Sequence, residues 1–226
     1  MPDREREIAQ LREIVLHNLQ STDDGARAAF AAEFGGELPT FADSMTSTLD
    51  LWSQFRETVE DTDERRVAVA AVAFTAINQN IASYKLFMSG YTVASGGLFR
   101  QVLEGVSLAF LCSAKPLNVV DRFIGNRYST KDAVADLARH AQKAHVNRAA
   151  LRTLLGAYEF YHKYAHLTKL TIAAGANFSL GGAPNVGAYF DPGKLMEYRK
   201  EVRGRLSFAR ILPNVMTGVA RNVASW

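Results

Sequence analysis

Residues 67–88 read VAVAAVAFTAINQNIASYKLFM, and the spacing of the larger side chains in this stretch decides the fold class. Val67, Ala70, Phe74, Ile77, Ile81, Tyr84 and Met88 fall at alternating steps of three and four for three heptads. A helix gathers that period on one face, whereas a strand scatters it over both. The spacing predicts a helix whose core face runs through Phe74, capped by Asp61 with Glu64 three residues on and ended at Ser89-Gly90. Val67 to Tyr84 carries no charge and approaches the length of a membrane span. Asn78-Gln79-Asn80 at its centre would be costly in lipid, so no membrane is expected.

The same punctuation recurs on both sides. Upstream, Asp3 to Gln20 places Ile8, Leu11, Val15 and Leu19 on one face, an amphipathic helix. A shorter helix from Asp24 to Phe34 is expected to stop at Gly35-Gly36 in a left-handed cap. Pro39 suits the first turn of a third helix reaching about Val59. Downstream, the helix from about Tyr91 to Cys112 is apolar nearly all round, and Ser95-Gly96-Gly97 gives it a smooth patch for a close neighbour. Lys115-Pro116 breaks the chain before a short helix near Leu117–Ile124. Ser129 with Asp132 is read as the cap of a helix to about Val146, and another covers Arg148 to Lys169. Glycines at 175, 181, 182 and 187 then mark a loop over 173–190 with room for a small hairpin. Asp191-Pro192 opens a final helix that Pro213 kinks or ends near Leu212.

These elements assemble into an all-α protein, a single helical domain over 1–226. It has acidic N-terminal helices over 1–60, a bundle core over 62–170 and a C-terminal helical segment over 191–226. The helices near 62–88, 91–113, 130–146 and 148–169 form its centre. Hydrophobic residues at 48% and charged residues at 22% suit a globular core and exclude a disordered chain. The lone cysteine, Cys112, excludes an internal disulfide and reads as inert core. With Met1-Pro2-Asp3-Arg4-Glu5 lacking a signal-type apolar run, it points to the cytoplasm.

Charge is unevenly placed. Residues 1–64 hold 5 basic and 15 acidic side chains, a net of −10, and residues 65–226 hold 21 and 8, a net of +13. An acidic segment docking on a basic one, within the chain or across a homodimer, accounts for this; so does a basic surface for a nucleic acid such as RNA or for anionic lipid.

Three groups of polar residues carry chemistry. Arg100, Glu104 and Ser107 share one stripe of the apolar helix, and a charged pair there must find partners. It either locks the bundle register or floors a polar pocket. Tyr158, His162 and His166 recur every four residues, aligned within about 80° on a straight helix, with Glu159 close by. The two histidines have the spacing of a chelating pair. The Glu-x-x-His motif of di-iron bundles occurs only once here, so neither a metal nor a cofactor is expected. Finally, Arg139 and His145 lie about 120° apart on a straight helix, too far to share a site within one subunit.

Two resemblances follow from these residues. Arg139 to His145 resembles the signature of HEPN-type ribonucleases, in which an arginine and a histidine from two subunits cleave RNA without metal. There histidine moves a proton and arginine steadies the phosphorus centre. Residues 90–170 resemble a group of uncharacterised bacterial helical proteins with an Arg-x-x-x-Glu helix followed by a Tyr-x-x-x-Ser-x-x-x-His helix, some of them HEPN-like. Arg100, Glu104, Tyr158 and His166 match that pattern, and His162 stands where serine is usual. No glycine-rich phosphate loop, Cys-x-x-Cys or Gly-x-Ser-x-Gly accompanies them. Three readings stay open. One is a ligand site for a small anion or nucleotide at Arg100, Glu104, Tyr158, His162 and His166. The second is a metal-independent ribonuclease using Arg139 and His145. The third is a dimeric interaction protein whose buried charges only set register.

Overall fold

The computed structural model describes residues 2–226 and is all-helical, apart from one two-residue hairpin. At the N-terminus, α1 (Pro2–Gln20), α2 (Asp24–Phe34) and α3 (Leu38–Glu57) follow one another closely. Gly35 is right-handed (φ −62°), so Gly35-Gly36 forms no left-handed cap. One 3-10 turn, Gly35–Glu37, carries the chain into α3, with Pro39 in its first turn. The centre is an antiparallel pair, α4 (Glu64–Met88) and α5 (Thr92–Ser113). Gly90 between them has φ +87°, and a Cβ there would press to 2.9 Å from the Tyr189 backbone nitrogen, so glycine is required. Asp63, not Asp61, caps α4, accepting from the Arg66 amide at 3.0 Å; Asp61 pairs with Arg56 instead.

The face that α4 buries differs from the one its bulky residues mark. Val69, Ala73, Ala76, Asn80, Ser83 and Phe87 form the central line, with Ala70, Ile77 and Tyr84 beside it. Phe74 is 40% exposed and lies over Trp52 at 4.7 Å. The reason is close packing. A Cβ added at Gly105 would touch the Ala76 Cβ at 3.0 Å, and Ser83 and Ser95 each donate a hydroxyl to the other's carbonyl, at 2.9 and 2.7 Å. Small side chains bring the helices together, so the seam follows them rather than the largest residues. By length and composition α4 could cross a membrane; half of its most apolar window is buried within the fold.

Downstream come α6 (Val119–Ile124), α7 (Ala133–His140), α8 (Arg148–His162), α9 (Lys169–Gly175) and α10 (Leu195–Ala224). The helix expected over 130–146 is shorter. It begins as a 3-10 turn at Thr130–Asp132, Ser129 makes no side-chain cap, and turns follow His140. The one expected to Lys169 stops at His162. Strands β1 (Ala176–Asn177) and β2 (Ala183–Pro184) pair antiparallel as the small hairpin. Buried Asp191 pins that loop through the Phe178, Ser179 and Gly193 amides and the Ser179 hydroxyl. Burial alone would raise its carboxyl pKa, but these bonds outweigh burial and hold it below the usual range.

Pro213 does not end α10. Leu212, Met216, Val219 and Val223 continue one buried stripe past it, and that burial outweighs a proline cost of about 3 kcal/mol. The helix thereby spans both halves of the core. One half is aromatic, around Phe30, Phe87, Phe99 and Phe208, and the other aliphatic, around Leu111, Leu137 and Val219. By contrast, α1 leaves Ile8, Leu11, Val15 and Leu19 exposed, so its apolar face is unburied within one chain.

The corrected register is testable. Phe87, 1% exposed, should cost about 3–5 kcal/mol when changed to alanine, whereas Phe74→Ala should cost roughly 1 kcal/mol. Denaturant melts of both variants check this, and the reverse order would refute it.

Candidate functional site

The charged pair on α5 finds its partner on α8. Arg100 and Glu104 lie one turn apart at 2.9 Å, with side chains only 17% and 14% exposed. The Tyr158 hydroxyl sits between them, accepting from Arg100 Nη2 at 3.3 Å and donating to Glu104 Oε1 at 3.1 Å. The guanidinium also lies 5.5 Å from the Tyr158 ring centroid. Arg100 Nε is buried without a partner. Ser107 bonds the Leu103 carbonyl, as a helical serine does, and stays outside the cluster.

The histidines extend this cluster outward. His162 is the last residue of α8; a 3-10 turn at Lys163–Ala165 follows, and His166 is extended (φ −130°, ψ 157°). The expected single helix through Tyr158, His162 and His166 is therefore broken, yet the residues still meet. Ring centroids are 5.9 Å apart for Tyr158 and His162, and 4.6 Å for His162 and His166. What breaks the helix also seats it. The Tyr164 ring lies on Gly96 so closely that a Cβ there would come within 2.5 Å of it, which makes the smooth patch of α5 a docking point for this turn. Both histidines are exposed. Desolvation, then the charge of Arg100, then His166, lower the His162 pKa, which favours a neutral imidazole at pH 7.

On its other side, Glu104 lines a groove of about 690 Å³ beside α4 and α5, with Thr75, Gln79 and Gln101 as further polar walls. The five residues singled out from the sequence thus form one continuous cluster, closed in the middle and open at both ends. Among the described residues, no three His, Cys, Asp or Glu side chains are grouped to hold a metal ion.

Arg139 and His145 are arranged differently. Arg139 lies in the last turn of α7 and pairs with Asp136 at 2.6 Å, while exposed His145 sits beyond the helix with φ +55°. They do not share a helix. Arg139 instead borders a second groove, of about 600 Å³, with His140, Lys143, Arg148 and Arg152; no carboxylate lines it.

A second charged pair escaped the sequence reading. Arg205 on α10 is 1% exposed, bonds Ser83 Oγ at 2.6 Å and Glu201 Oε2 at 3.3 Å, and lies against the rings of Phe87, Phe99 and Tyr161. Its i, i+4 spacing from Glu201 was visible. Arg199, Lys200, Arg203 and Arg210 carry charge on the same helix, so spacing alone does not single out Arg205.

No protein-family model matches the chain, and no curated protein or solved structure does either.

Glu104→Leu or Arg100→Leu alone strands the other charge beside Tyr158 and should cost about 2–4 kcal/mol; the double change should cost less than their sum. A double-mutant cycle in denaturant melts checks this, and simple additivity would show that the pair does not interact.

Proposed function

We propose that the chain binds a small nucleotide-class ligand at the Arg100–Glu104–Tyr158–His162–His166 cluster. What carries the reading is the open histidine end of that cluster, where two exposed imidazoles stand one behind the other beside the Arg100 guanidinium. The exposed imidazole rings of His162 and His166 offer faces on which a base can stack. His162 and His166 offer ring N–H groups to the anionic group of the same ligand. Calorimetric titration with a panel of mononucleotides tests this. Binding should weaken at least tenfold, about 1.4 kcal/mol, in a His162→Ala/His166→Ala variant. Absence of binding up to millimolar concentrations would end the reading.

A second reading, RNA binding, is favoured by the carboxylate-free groove of Arg139, His140, Lys143, Arg148 and Arg152. Phosphate neutralisation there makes affinity fall steeply with salt and drop in an Arg148→Ala/Arg152→Ala variant. HEPN-like cleavage would further need Arg139 to leave Asp136 and a second subunit to supply His145. In the same titrations, single-stranded RNA replacing mononucleotides as the tighter ligand would favour this reading.

A homodimer through α1 fits both readings. With Ile8, Leu11 and Val15 along the seam, a parallel second copy sets Glu7 against Arg12 and Ile14 against Leu19, each pair occurring twice. Light scattering should give a dimer for the full chain and a monomer for Leu11→Glu/Val15→Glu; a monomeric parent would refute it.

A further inference from the structure

The second face of α8 turns toward a different cavity. Between α5, α8, α9 and α10 lies a pocket of about 710 Å³, separate from the polar cluster. Its walls include Phe99, Phe160, Tyr161, Tyr164, Phe208 and Ile211. The rings are interlocked, with Phe99 4.6 Å from Tyr161 and 5.1 Å from Phe208, and Phe160 5.1 Å from Tyr161. A concave, mainly apolar space of this size with few polar groups has the form of a small-molecule site.

Thr153, Glu197, Lys200 and Ser207 also line it, but the charged side chain largely buried in its wall is Glu201. Its Oε2 is occupied, accepting the Tyr161 hydroxyl at 2.6 Å and Arg205 Nε at 3.3 Å. Its Oε1 accepts only the Tyr164 hydroxyl, at a long 3.4 Å, and keeps acceptor capacity to spare. Burial raises the pKa of both tyrosines well above the usual phenol value, so they remain donors to this carboxylate.

Charge narrows the ligand. Arg205 already balances Glu201, and on the rim Glu197 pairs with Lys200 at 2.9 Å. A charged molecule would be desolvated without an unpaired counter-charge to meet it, whereas a neutral one keeps the balance. The three ring faces that cover Arg205 are likewise in use and offer no free cage for a cation.

We propose that this pocket binds a small, neutral, planar aromatic molecule that presents one N–H or O–H to Oε1 of Glu201. The site is independent of the nucleotide reading and stands or falls without it. Gly204 on α10 lines the pocket, and an added Cβ there would meet nothing within 4 Å. A side chain added at Gly204 therefore starts from the pocket wall without meeting protein at its Cβ, and removing a helical glycine favours the fold.

The test uses the full chain and three probes, followed by NMR shift titration: indole, 1-methylindole, which lacks the donor, and tryptamine, which carries a cation. Indole is expected to saturate with shifts around Tyr161, Tyr164 and Phe208. 1-Methylindole should bind at least about fivefold more weakly, the cost of an unmet hydrogen bond, with tryptamine no tighter than indole. Gly204→Phe should lose indole binding at least tenfold while keeping its circular dichroism and melting temperature. The proposal is overturned if indole gives no saturable shift at millimolar concentration, or binds Gly204→Phe equally well. It is also overturned if tryptamine binds best, or if the parent is a dimer that Gly204→Phe dissociates, which would make a second copy the occupant.

Discussion

The guanidinium of Arg205 sits where α4, α5, α8 and α10 meet, and each of its contacts joins α10 to one of the others or to its own turn. Ser83 on α4 receives one Nη, and Ser83 in turn donates to the Ser95 carbonyl on α5. Phe99 of α5 and Tyr161 of α8 cover the cation, and Glu201 one turn back supplies the opposite charge. A buried cation is tolerated only when paired and hydrogen-bonded, so this set must form together or not at all. The position of α10 against the α4–α5 seam, and of α8 against both, follows from that requirement.

The two faces of α8 then acquire different chemistry from the same anchoring. Tyr161 points to Glu201 and Arg205, on the apolar side. Tyr158, one turn closer to the start of the helix, points to Arg100 and Glu104 on the polar side. Each face meets an Arg–Glu pair at i, i+4, one on α5 and one on α10, and each tyrosine hydroxyl donates to the glutamate. They differ at the cation. Arg205 is sealed under aromatic rings while its glutamate keeps one oxygen toward the apolar pocket, and the α5 pair keeps a groove on one side and two histidines at the surface on the other. A guanidinium covered by rings suits structure; a carboxylate with an oxygen to spare can take a ligand as a further partner.

Backbone breaks are part of the same design. The helix through Tyr158 ends at His162, Tyr164 in the 3-10 turn that follows docks on Gly96, and the His166 ring lies back on His162. Continuous helix would have spaced the rings by a full turn along the axis. Similarly, the turns after His140 separate Arg139 from His145, and the groove that forms there collects Lys143, Arg148 and Arg152 instead.

Local information in the chain was sufficient for the helical class, for the limits of α2 and for the break at Pro116. It was also sufficient for the small hairpin and for the Arg100–Glu104 pair, because period, turn chemistry and i, i+4 spacing act within a few residues. It could not say which face of α4 is buried. Phe74 and Ala76 differ in bulk, and only the approach of Gly105 makes the small side chain the central one. Nor could it say that α10 runs past Pro213, that Arg205 alone among the arginines of α10 is buried, or that Tyr158 reaches Arg100 from 58 residues away. Each of these depends on the distance between helices that are remote in sequence. That distance is set by how their side chains interlock in three dimensions.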